Sequence, residues 1–180
     1  LSPGNVISLL EDKAGHIWFG TYGYGLNRFN RATQTFTHYQ HDPDDPYSLS
    51  NNIVRDIYED RGGILWVATY GGGINKSIKN KFDLYRHEPN NPNSLVRNYV
   101  TTIQESGDER DGALMVGTQY GGVTRISWRT GKNPEYTHYQ HDPDNPNSLS
   151  DNYIRVITES KEHPGVYWIG TFFAGLNRLD

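Results

Sequence analysis

The chain has 180 residues, 34% of them hydrophobic, and its 17 Lys and Arg against 21 Asp and Glu leave a net charge of -4, so it carries no basic field for a phosphate backbone and nucleic-acid binding is disfavoured. The absence of cysteine excludes disulfides and thiolate metal sites, and is compatible with either a reducing or an oxidising compartment. No apolar run is long enough to span a bilayer.

Thirteen Tyr and nineteen Gly favour strands joined by tight turns. The chain opens at Leu1-Ser2-Pro3, inside a repeat, a start expected of a fragment whose targeting signals would be lost. Residues 5–12 read as a first strand rich in Val, Ile and Leu, with counterparts at 53–60, 99–106 and 153–160. Its apolar residues do not alternate: Val54 and Ile57, Val100 and Ile103, and Ile154 and Ile157 are each three apart, so both faces are expected to be buried. Asp12-Lys13-Ala14-Gly15 and Asp60-Arg61-Gly62-Gly63 have the Asp-first, Gly-last chemistry of a tight turn into a second strand. That strand is anchored at Trp18, Trp66, Met115 and Trp168, which lie 48, 49 and 53 residues apart, a period at which tandem structural units are considered before any other fold.

A Gly-rich turn follows each anchor and needs a positive φ at Gly25, Gly73, Gly122 and Gly175. A third strand begins at Leu26 and its equivalents, and a fourth covers residues 34–40, 82–86 and 135–140. Then comes the linker His41-Asp42-Pro43-Asp44-Asp45-Pro46-Tyr47-Ser48-Leu49-Ser50-Asn51-Asn52, echoed at 87–98 and 141–152. Its two prolines cannot donate to a ladder, which makes it a rigid loop between sheets.

The fold expected is all-β: a β-propeller region over residues 1–180 whose blades are four-stranded antiparallel meanders, at about 1–48, 49–94, 95–148 and 149–180, the last without its outer strand. Four strands in each of three repeats and three in the last make 15. Such a count suits an arc of a larger ring, or a ring completed by other blades or a second protomer.

The pattern His-Asp-Pro, Pro, Ser-Leu-Ser, then Glu-Asp, Gly, Trp, Gly-Thr and Gly-Leu-Asn-Arg resembles the two-component regulator propeller repeats along essentially the whole chain. The resemblance implies the extracytoplasmic, periplasmic sensor region of a hybrid histidine kinase, in which such repeats form seven-bladed propellers followed by an immunoglobulin-like domain, a membrane helix and kinase modules. Departures are Ala68 for the Gly of Gly-Thr, Met115 for Trp, and the Phe172-Phe173-Ala174 turn.

Candidate chemistry is thin. No Gly-rich turn carries the Gly-Lys-Ser/Thr ending of a phosphate loop. His38 with His41, and His138 with His141, have metal-like spacing, but strand residues three apart point to opposite faces, so no metal is expected. Glu11-Asp12 and Glu59-Asp60 belong to the repeat and diverge as strand neighbours; their Asp side chains are expected to hydrogen-bond the turn backbone. Trp18, Trp66 and Trp168 are expected between blades. The charged loop Gly107-Asp108-Glu109-Arg110-Asp111 reads as solvated padding or a docking element.

In a meander, the turns after the second strand and the linkers emerge on one face. That face gathers Tyr22, Tyr24, Tyr70, Tyr120, Phe172 and Phe173, with Arg55, Arg97 and Arg155 near the start of the first strand. Exposed aromatics beside polar groups suit sugar rings or a partner protein; alternatively the rings only pack the turns. With the resemblance, the expectation is a non-catalytic, oligosaccharide-responsive sensor segment needing no cofactor and making no membrane contact itself. The rival readings are a propeller lyase or glycoside hydrolase, and a protein-interaction scaffold.

Overall fold

All four repeats fold as antiparallel meanders in a computed structural model that describes residues 4–79, 81–107, 112–128 and 133–180. Strands β1 (Val6–Glu11), β2 (Ile17–Thr21), β3 (Leu26–Asn30) and β4 (Thr35–Tyr39) pair in chain order as one sheet. The next two sheets are β5 (Val54–Glu59), β6 (Leu65–Thr69), β7 (Gly73–Ile78) and β8 (Lys81–Tyr85), and β9 (Val100–Glu105), β10 (Leu114–Thr118), β11 (Gly122–Ser127) and β12 (Glu135–Tyr139). The fourth has three strands, β13 (Ile154–Glu159), β14 (Tyr167–Thr171) and β15 (Leu176–Leu179). Among the described residues the chain is all-β, and its sheets are propeller blades with the expected strands.

The turns form where the sequence places them, for identifiable reasons. Asp12 Oδ1 accepts from the Ala14 and His16 amides at 3.0 and 2.8 Å, and its Oδ2 accepts from the Trp18 indole at 2.7 Å. Asp60 repeats this with the Ile64 amide at 2.8 Å and the Trp66 indole at 2.9 Å. One carboxylate therefore closes the first turn and fixes the rotamer of the aromatic anchor. At the Gly-rich turn the hydroxyl of Thr21, Thr69, Thr118 or Thr171 donates to the carbonyl of Gly25, Gly73, Gly122 or Gly175, at 2.8 to 3.0 Å. Those glycines have φ of 74°, 79°, 73° and 79°, where a Cβ would strain the chain.

The linker is closed by its first and last residues. His41, His87 and His141 each bring Nδ1 to the carbonyl of Leu49, Leu95 or Leu149 at 2.9, 2.7 and 2.6 Å. Their amides donate to Asn52, Asn98 and Asn152 Oδ1. The loop thereby presents its leucine inward.

The chain divides into two compact units, Leu1–Arg86 and His87–Asp180. In the first, Trp18 and Leu26 face Val54, Ile57, Leu65, Val67 and Phe82 with Leu49 beneath them. In the second, Met115 and Val123 face Ile154, Ile157, Tyr167 and Ile169 over Leu149. These are the same repeat positions, so each unit is a pair of sheets packed face to face, each side chain contributing about 1.5–3 kcal/mol on burial. The sheets approach closely at the Gly of Gly-Thr: a Cβ on Gly20 would fall on Ser8 Oγ and 2.5 Å from Val54 Cγ1, and one on Gly117 would lie 2.7 Å from Ile154 Cγ2.

Two expectations about burial are corrected. Leu9 is 70% exposed on β1, so that strand has one wet face; Trp168 is 40% exposed, unlike Trp18 and Trp66. Leu10 packs against the core of its unit, so Leu9, its strand neighbour, points to the opposite face, away from the sheet of β5 to β8.

Candidate ligand face

The aromatic candidates separate by unit. Tyr22, Tyr24, Tyr70 and Arg55 lie in the first unit, where Tyr22 bridges to Ile53 and the Gly23 and Gly25 amides donate to the Asn52 carbonyl at 3.1 and 2.8 Å. All three Tyr rings reach the surface, with Tyr24 lying against Gly4.

In the second unit the candidates converge. Tyr120 meets the Tyr153 ring edge-on at 5.1 Å, Tyr153 stacks on Phe172 at 4.8 Å and 15°, and Phe172 meets Phe173 at 4.5 Å. Phe173 also contacts Tyr153 at 6.0 Å. Tyr120 is 59% exposed and Phe173 70%, so this is a surface platform. Arg155 sits over the Phe172 ring at 5.5 Å. Sequence reasoning missed Tyr153, the ring that joins the others. It precedes β13 and reads as a strand residue; the available signal was an aromatic at the linker's exit, beside the turn of the preceding repeat.

The platform is held rigidly. The Phe172 amide donates to the Tyr153 carbonyl at 2.8 Å, and the Tyr153 amide to Asp151 Oδ1 at 2.7 Å. Ser150 Oγ donates to the Ala174 carbonyl at 3.0 Å and accepts from Asn177 Nδ2 at 2.9 Å. Tyr120 has φ of 64°, a left-handed conformation that a bulky residue adopts at a cost of about 1–3 kcal/mol. The position is glycine in the second repeat, Gly71, with φ of 86°.

The other candidates disperse. His38 Nδ1 meets Asn27 Oδ1 at 2.5 Å while His41 serves its linker, so the two rings take separate partners. His138 Nε2 donates to the Pro92 carbonyl at 2.9 Å, since a carbonyl only accepts. Glu11 binds Arg31 at 2.6 Å, and Glu59 accepts the Lys13 amide at 2.8 Å, leaving neither Glu-Asp pair convergent. Asp12 is desolvated by burial, which raises its pKa, yet the hydrogen bonds from Trp18 and His16 outweigh this and hold it below the usual carboxylate value. It is a carboxylate fixed in its charged form by structure. Residues 108–111 of the charged loop lie outside the described residues.

Residues 1–23 and 48–71 match the family model described as two component regulator propeller. Over 42 residues, 23% of this chain and 3% of the relative, the sequence is 43% identical to Histidine kinase P4 of Formosa agariphila. The fold matches the extracellular domain of the hybrid two component system BT3049 from B. thetaiotaomicron, at 27% identity and TM-score 0.82, over 100% of this chain and 24% of that one. It matches the corresponding domain of BT4673 from the same organism at 27% identity and TM-score 0.75, over 98% and 24%. The chain thus spans about a quarter of the length of these structures.

Proposed function

Since this chain carries two-component regulator propeller repeats, we infer that it is a ligand-sensing segment of an extracytoplasmic, periplasmic sensor that binds oligosaccharide without catalysis of its own. The observation that carries this reading is the surface platform of Tyr120, Tyr153, Phe172 and Phe173. Rings that are exposed yet locked in orientation offer a sugar the flat apolar surface it stacks on, at little ordering cost. The extracellular character of the similar domains supports the location. Residues 1–180 serve as one propeller region, with other blades or a second protomer as neighbours, and binding is transmitted by altered packing at such interfaces, because packed sheets are stiff.

A hydrolase would need two carboxylates aimed at one bond, and the repeat's Glu-Asp pairs are engaged in turns and ion pairs instead. The test is a glycan array probed with the chain and with a Phe172→Ala/Phe173→Ala variant. Oligosaccharide binding that the variant loses by about ten-fold or more, with thermal unfolding nearly unchanged, supports the reading. A protein ligand with no glycan binding favours a scaffold. A large stability loss in the variant makes the rings packing residues.

A further inference from the structure

Two arginines frame the platform of the second unit. Arg155 is the extra residue of a β-bulge: Ile154 pairs with Thr171 and Val156 with Gly170, leaving Arg155 unopposed. A bulge takes a side chain out of the strand's alternation and re-aims it, and here the guanidinium carbon comes over the Phe172 ring. The bulge is pinned from the facing sheet, where the Thr101 hydroxyl of β9 donates to the Ile154 carbonyl at 2.8 Å. Thr101 occupies the matching bulge of β9 and is committed to that contact and to the Gly117 carbonyl. On the other side of the cluster, the stem of Arg97 lies against the Tyr120-Gly121 turn, its Cγ 2.7 Å from where a Gly121 Cβ would stand.

Both arginines are exposed, and among the described residues neither is in ion-pair contact with a carboxylate. Asp151, the nearby acid, has Oδ1 engaged by the Tyr153 amide. The chain as a whole is acidic, at -4. Two unpaired cations beside stacked rings are therefore a local inversion of its charge.

We propose that the platform takes an acidic oligosaccharide, a pyranose ring laid on the Tyr120 and Phe173 surfaces with its carboxylates or sulfates held by Arg155 on one side and Arg97 on the other. The proposal rests on the oligosaccharide reading above and narrows it. A guanidinium offers paired N–H donors that match a carboxylate or sulfate, and stacking on Phe172 limits the orientations Arg155 samples before it meets the anion. A neutral sugar gains the stacking alone.

The test is calorimetric titration of the chain with two matched pairs of probes: trigalacturonate against its methyl ester, and a sulfated galactose oligomer against its desulfated form. In at least one pair the acidic member binds about ten-fold tighter in low salt, and the advantage shrinks as the ionic strength rises from about 0.05 M to about 0.5 M. Arg155→Gln and Arg97→Gln each weaken the acidic member about three-fold or more and leave the neutral one unchanged. Arg155→Lys restores part of the loss, which separates charge from folding, and thermal unfolding of each variant checks the fold directly. Which pair responds tells carboxylate from sulfate. Neutral members that bind as tightly as their acidic partners overturn this inference and leave the oligosaccharide reading standing. No binding by any of the four probes overturns the acidic-sugar assignment and counts against the broader reading.

Discussion

Tyr120 is the residue at which local stability and exposure conflict most plainly. Its φ of 64° is one that the second repeat reaches with Gly71, and its ring is mostly in solvent with one edge contact to Tyr153. Replacing it by glycine removes a strain of about 1–3 kcal/mol, set against a lost ring contact worth about 0.5–1.5 kcal/mol. The expected outcome for Tyr120→Gly is a stability within about 1 kcal/mol of the parent or slightly above it, with glycan affinity reduced; urea unfolding that shows a loss of several kcal/mol would mean the ring is packing, not display. Asp12 shows the opposite case, a charged residue wholly committed to structure. Burial raises its pKa, but bonds from Trp18 and His16 lower it further, so its folded pKa lies below the unfolded one. The stability it contributes is then fully present above the unfolded value, near 3.8, and is lost as the pH falls through the lower folded value. Asp12→Asn leaves one acceptor where the carboxylate supplies two, so its NH2 faces either the Trp18 indole N–H or the Ala14 and His16 amides, at a cost of about 1–3 kcal/mol at neutral pH. Denaturation midpoints measured from pH 6 down to pH 2.5 should converge for parent and variant; a constant gap across that range would contradict the assignment.

At the scale of elements, periodicity made most of the fold legible. The Asp-Gly and Gly-rich turns fall where their backbone needs place them, and the 15 strands among the described residues follow the repeat. The bulges were not legible, since a one-residue register shift at Ile7, Arg55, Thr101 and Arg155 leaves no mark in residues that are themselves ordinary strand formers. Nor was the platform's joining ring, because Tyr153 acquires its meaning from the turn of a preceding sheet. The Gly of Gly-Thr was read as repeat pattern, and its reason is contact between sheets. Gly20→Ala drives a methyl into Ser8 and Val54, and overpacking of this kind costs about 1–3 kcal/mol. Ala68 already occupies the equivalent place, fully buried, so Ala68→Gly opens space instead and costs about 1 kcal/mol through backbone freedom and a lost methyl. Thermal unfolding of the two variants should show losses of unrelated origin, the larger for Gly20→Ala; a neutral Gly20→Ala would mean the sheets separate freely.

Across the molecule, the two units repeat one core with a single difference, and the difference makes a prediction. In the first unit Phe82 is buried among Leu49, Trp18 and Tyr39, and its amide donates to the Tyr47 carbonyl at 2.9 Å. The matching space in the second unit is a cavity of about 570 Å³ bounded by Tyr139, Asn147, Leu149 and Leu179, along the free edge of β15. The surrounding hydrogen bonds are already those of the first unit, since Ser150 donates to Asn177 as Ser50 does to Asn75, both at 2.9 Å. A strand added there would find its ladder and its apolar slot prepared. Joining a copy of residues 79–86 directly after Asp180 places a phenylalanine at the Phe82 position and an amide opposite the Asn147 carbonyl. Burying that ring contributes about 1.5–3 kcal/mol, which for a unit of this size raises the midpoint by about 5 °C or more. The same extension with alanine in place of the phenylalanine should return most of the gain. Equal midpoints for the two extensions would show that the cavity does not select an aromatic side chain, and that the likeness of the two cores ends at the seven positions they share.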